Sequence, residues 1–190
     1  MILSPLGPAT RACWSCHSDR QCHAAGLYRH AYGCAAGGIS QGAGVTLSTT
    51  GASLDVMAAA GALTMGAGAA MSTGDSTGGN IRVYAGQNAT VSGIDAGTGD
   101  VSLISQNGDI LDGGDLATDV KGSGLRLSAA GGVGQANDPL DTAVDAVSAQ
   151  AGAGGIHLKE ADDITVDAVG PVGVERVNAD AGTTAVVDGV

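Results

Sequence analysis

Phenylalanine is missing from this 190-residue chain, and only one Trp and three Tyr are present. A core without large rings must be built from aliphatic side chains, which favours a narrow interior. Basic residues are scarce as well: eight Lys and Arg face 19 acids, a formal net charge of −11. Nucleic acid and anionic membrane surfaces demand a positive face, so neither is expected as a partner. Long hydrophobic runs are also lacking. The best candidate, "VMAAAGALTMGAGAAM" at 56–71, is mostly Ala and Gly and follows directly on Asp55. A spanning helix needs about 20 strongly apolar residues, so the stretch reads as short strands and tight turns, without membrane insertion. At the N-terminus, "MILSPLGPATRACWS" has no basic start, and its prolines interrupt any apolar run. No signal peptide is visible there.

What is present is unevenly placed. Residues 1–38 hold all four Cys, the only Trp and three of the four His, with a net charge of +2 from Arg11, Arg20 and Arg29 against Asp19. Residues 39–190 carry a net of −13. Two compositions meet near Gly37-Gly38, which predicts an unstructured or artefactual leader over 1–38 and a repeat unit over 39–190. The leader contains "CWSCHSDRQCH" (13–23), a C-x-x-C-H pattern. Such a pattern supplies two thiols for thioether bonds to haem and an adjacent axial His. Cys13, Cys16 and His17 fit it, with His23, His30 or Met57 as the second axial ligand. A zinc set from Cys13, Cys16, Cys22 and either His23 or Cys34 is the metal alternative, although its second half is badly spaced. No helical pocket or aromatic wall is legible to enclose a macrocycle. Neither cofactor nor metal is expected.

From residue 42 the chain repeats one phrase: a short alternating strand, a Gly/Asn/Asp turn, another short strand. Branched residues fall two apart in "GVTLS" (44–48), "NIRVY" (80–84), "DVSLIS" (100–105), "LRLS" (125–128) and "GIHLK" (155–159). Thr46, Arg82, Ser102, Arg126 and His157 stand between them, the period of strands with one face buried. Partner strands follow in "SLDVM" (53–57), "ATVS" (89–92), "DILD" (109–112) and "DITVD" (163–167). One stretch, "DPLDTAVDAVSAQ" (138–150), also has helical spacing. Short strands at this spacing predict an all-β solenoid, specifically a right-handed parallel β-helix. Residues 39–190 would make about six or seven coils, a rod of about 30 Å at about 4.8 Å per coil. Neither end reads as a cap, so the chain is expected to be a piece of a longer protein, able to self-associate through its solenoid ends.

The G-D-[IV] starts of "GDVSLISQNGDILDGG" (99–114), the "NDPLDTAVD" link and the "GGIHLKEADDITV" return resemble the filamentous-haemagglutinin-like and giant repeat adhesins of bacterial surfaces. The resemblance covers roughly residues 44–180. It implies a secreted, extracellular or cell-surface β-helical rod that acts in attachment and biofilm formation without catalysis. Its partners would be glycan or protein components of host or sibling-cell surfaces, met along loops such as 112–124 and 134–150. One alternative is a carbohydrate-active β-helix enzyme, which wants convergent carboxylates with a nearby base. Asp162 and Asp163 are adjacent, but neighbours in a strand point to opposite faces. The other alternative is a haem- or metal-binding N-terminal module on an inert scaffold. "GISQG" (38–42) matches a serine-hydrolase elbow around Ser40, with His157 downstream, yet a strand follows where the elbow needs a helix. No catalytic residue is expected.

Overall fold

The computed structural model describes residues 11–16, 27–28, 30–74, 78–114, 117–178 and 182–188, with side chains from residue 36 onward. Its described residues contain strands and turns but no helix, and the strands stack in parallel as a β-solenoid of about five turns. Each turn passes through three sheets. The first is built from β1 (Arg11–Cys16), β3 (His30–Ala35), β6 (Leu54–Ala58), β9 (Ile81–Ala85) and β12 (Val101–Ser105). The second holds β4 (Ile39–Gln41), β7 (Leu63–Met65), β10 (Ala89–Val91), β13 (Ile110–Asp112), β15 (Gly132–Val133) and β17 (Gly155–Ile156). The third holds β2 (Leu27–Tyr28), β5 (Thr46–Thr49), β8 (Ala70–Ser72), β11 (Ile94–Asp95) and β18 (Leu158–Glu160).

Two longer strands, β14 (Val120–Ala129) and β16 (Leu140–Ala151), round the corner from the third sheet to the first and belong to both. A short last strand, β19 (Thr165–Val166), closes the first sheet on β16.

Register keeps like on like. Leu54, Ile81, Val101, Leu125 and Val147 form one inward column, and Val56, Val83, Leu103 and Leu127 form a second. All nine are buried. Each such side chain contributes about 1.5–3 kcal/mol on leaving water, and branched chains stacked in line fill a narrow prism without aromatic rings. Turns repeat as well. Gly44 and Gly68 occupy matching places before β5 and β8, both in the left-handed region at φ 66°. The phrase Gly-Ala-Gly at 42–44 and 66–68 is the sequence form of that shared turn.

After β19 the chain abandons the stack. Residues 168–178 and 182–188 lie along the outside of the first sheet and include an antiparallel pair, β20 (Gly173–Val177) with β21 (Thr183–Val187). Strand β20 lies across β3, β6 and β9. Val169, Val172, Val174 and Val177 of this strap are buried. The expected six or seven coils are therefore about five, because 168–178 and 182–188 form a second layer instead of another turn.

Two local expectations also change. Residues 138–150 contain strand β16 and no helix: buried Leu140, Thr142 and Val144 alternate along the third sheet, and the corner shifts the phase to Val147. "GIHLK" is not one strand, since Ile156 lies in the second sheet and Leu158 in the third, with His157 at the corner between them. Strand β16 also takes most of 134–150 and strand β14 takes 120–124, which removes much of the two proposed binding loops.

Candidate functional site

Polar side chains sit where the chain turns between sheets, and they are wired along the rod. At the corner before the first sheet, Asn80 Oδ1 accepts the Asp100 N–H at 2.9 Å, and Asp100 Oδ1 accepts the Gly124 N–H at 2.9 Å. Before the second sheet, Asn88 Oδ1 accepts from Asp109 N–H at 3.1 Å and Asp109 Oδ1 from Gly132 N–H at 2.6 Å. Before the third, Asp119 Oδ2 accepts from Asp141 N–H at 3.0 Å, and Asp141 Oδ1 takes the Lys159 ammonium at 2.6 Å. Each corner thus has a ladder in which one coil's side chain accepts an N–H of the next coil, beside backbone bonds that continue there (Ile81 N–H to the Asp100 carbonyl, Ala89 N–H to that of Asp109, Ile94 N–H to that of Asp119). The Gly-Asp phrase has its cause here. A Cβ on Gly108, just before Asp109, would stand 2.1 Å from Asn88 Oδ1 and 2.8 Å from the Asn88 backbone N, so the residue beside that ladder has to be glycine.

The third corner concentrates charge. Carboxylate oxygens of Asp112, Asp119 and Asp141 lie within 4.8 Å of one another, with Asp112 and Asp119 buried. Lys159 answers Asp141 from the adjacent coil. The hydrogen bond and the charge of Asp141, with a smaller push from Asp112, raise the Lys159 pKa above its ordinary 10.5.

Beneath the strap lies a second charged array, this one out of water. In register across the first sheet, the outward row runs Asp55, Arg82, Ser102, Arg126. Asp55 is fully buried and pairs with Arg82 and with Arg176 of the strap, each at 2.8 Å. Asp188 pairs with Arg126 at 3.0 Å and accepts the Ser102 hydroxyl at 2.8 Å. Arg126 also donates to the Val169 carbonyl at 2.7 Å. A groove of about 500 Å³ opens between the hairpin and the turns before β6 and β9. Two of its polar side chains already serve the strap: Ser53 Oγ accepts the Glu175 N–H, and Asn80 donates to the Gly173 carbonyl.

The residues singled out from sequence are scattered by this fold. Ser40 stands exposed in β4, and His157 follows β17 at the far end of the same sheet. Five strand steps separate those strands, about 24 Å at the usual spacing, so the elbow and its base do not meet. Asp162 and Asp163 are both exposed in the turn after β18. Of the Cys/His candidates, His17, Cys22 and His23 lie outside the described residues. Cys13 and Cys16 lie on β1, and Cys34 lies on β3 in register with Ser15. Residues 56–71 hold the end of β6, all of β7 and the start of β8, and no helix of the described residues is long and apolar enough to cross a membrane. Sequence reasoning gave Asp55 and Asp188 no role and noted Arg82 and Arg126 only as polar positions between branched residues. The chain matches no family model, no curated protein and no solved structure.

Proposed function

We propose that this chain is a non-catalytic structural and adhesive segment of a secreted bacterial surface exoprotein. The carrying observation is the continuous parallel stack whose three corners are each tied from coil to coil by side-chain ladders. Such a ladder makes a stiff spacer, because bending the rod would break backbone and corner bonds together. The outward row of the second sheet is small and polar over three coils (Ser40, Thr64, Thr90) before it reaches Leu111, and that polar stretch suits a surface met by many weak contacts. The net charge of −11 keeps neighbouring rods apart and in solution. Its partners are glycan or protein components of host or sibling-cell surfaces.

Beads coated with the purified chain test this directly. Retention on host or bacterial cells above that of albumin-coated beads is the expected result, and equal retention overturns the adhesive reading. Incubation with surface polysaccharides should release no reducing ends; release would install the carbohydrate-active alternative. A visible absorption band in the purified chain would install the haem-binding one.

A further inference from the structure

The rim of the last coil differs from the rest of the described surface. The chain leaves the stack at Asp167 and turns back outside the first sheet, so no coil follows β17, β18 and β19. The aliphatic columns are cut there. Val133 and Val147 are 0% and 4% exposed, whereas Ile156 and Val166, next in their columns, are 44% and 83% exposed. Two of the three exposed large hydrophobic residues among those described are thus open ends of the core. The strand edges beside them are open as well, a template for further pairing.

A single extended strand would cover one of the three edges. The end of another parallel stack brings a strand to the first-sheet edge in the same direction and continues the column that ends at Val166. Charge selects which end. Residues 155–167 carry four acids (Glu160, Asp162, Asp163, Asp167) against Lys159, so two such rims repel each other. The first 38 residues carry a net +2, and β1, outermost in the first sheet at the opposite end, begins with Arg11. Register agrees. The column that ends forward at Val166 runs back through Leu54 and Ala31 to Ala12 in β1.

We propose that this rim docks a second copy, head to tail, with β1 of one chain pairing in parallel with β19 of the other. The contact is heterologous and does not close on itself, so it builds a series of lengthening oligomers. It rests on the rod reading above, yet it is tested separately, since beads can adhere whether or not the chain polymerises.

Sedimentation velocity of the full chain should show dimers, trimers and longer species growing with protein concentration. Val166→Lys, at a position already 83% exposed, leaves the fold intact by circular dichroism and weakens this association at least about tenfold, as charge on an edge does. Orientation is read by Asp167→Cys under mild oxidation. Position 167 follows Val166 as Cys13 follows Ala12, so docked copies bring the new thiol opposite Cys13. Within one chain those positions are seven strand steps apart, about 34 Å, and cannot join. The expected product is a ladder of disulfide-linked oligomers in which the 12–20 peptide is joined to the peptide carrying position 167. A lone dimer joined through two copies of the 167 peptide overturns the head-to-tail geometry. A chain that stays monomeric at all concentrations, or a Val166→Lys variant that associates as well as wild type, overturns the proposal.

Discussion

Leu54-Asp55-Val56 in the first sheet and Leu63-Thr64-Met65 in the second follow the same rule, aliphatic in and polar out, and meet opposite fates. Thr64 faces solvent, while Asp55 is wholly buried beneath the strap. The second sheet is therefore an ordinary half-buried sheet. The first is the middle layer of three, with core on one side and β20 on the other. A polar outward residue costs nothing in the former. In the latter it has to be matched, and Asp55, Arg82, Arg126, Arg176 and Asp188 match one another. The outer polar row acts as surface in one sheet and as an internal latch in the other.

Breaking the latch should give the largest effect. Asp55→Ala removes the carboxylate shared by Arg82 and Arg176 and leaves two guanidinium groups without it under the strap. Loss of one partner of a buried ion pair costs about 3–5 kcal/mol. Urea unfolding should show that loss, against a change within about 0.5 kcal/mol for Thr64→Ala in the second sheet. Equal effects at the two positions would mean that the strap does not bury the row. Replacing Asp55, Arg82 and Arg176 together with Leu, Met and Leu sharpens the point, since an apolar set of similar volume restores most of the stability.

Core truncation comes next and should not distinguish the sheets. Leu103→Ala in β12 and Ile110→Ala in β13 face the same interior, both fully buried. Each should cost about 2–5 kcal/mol in the same urea titration. A smaller effect belongs to the corners: Asn88→Ala removes the acceptor for the Asp109 N–H at an exposed turn and should cost about 1 kcal/mol. Faster amide exchange at Asp109 than at Asp100, whose ladder through Asn80 stays intact, would locate that loss.

The solenoid itself was legible because its strands alternate with period two and its core columns are purely aliphatic. Residues 138–150 show how one reading can imitate another. Leu140, Val144 and Val147 fall at i, i+4 and i+7, the helical signature, because β16 turns a corner and changes the parity of its inward face. The strap was not legible. In "GVERV" the valines fall three apart and in "TTAVV" they are adjacent, so neither carries the period-two alternation of the coils, and no local feature tells whether such a strand adds to the stack or lies across it. Its only trace in sequence was charge at outward positions of consecutive coils, Asp55 and then Arg82, with Arg126 two coils later. Single strands treated separately conceal that pattern. The ladders of the first two corners stood in plain sight as Gly-Asp before a branched residue, but their meaning needs the coil-to-coil register, which spacing of 20 to 27 residues leaves undetermined.

The smallest expected effect compares two acid–base pairs in different surroundings. Arg126 and Asp188 meet under the strap with side chains 11% and 0% exposed, while Lys159 and Asp141 meet at the third corner with 62% and 14%. Salt should leave the first pair nearly untouched and screen the second. The second also titrates. Asp141 favours the ammonium form of Lys159 in the folded chain and raises its pKa above 10.5. A raised folded-state value means that the pair's contribution is fully present below the unfolded lysine pKa and fades as pH climbs through the folded one. Thermal unfolding of wild type and Lys159→Met should therefore differ by a constant small amount at neutral pH, and the gap should close on the alkaline side of 10.5. An Nζ titration by NMR with its midpoint at or below the free-lysine value would show that Asp141 does not hold the ammonium. The corner would then depend on its Asp119–Asp141 backbone bond, as the other two corners depend on theirs.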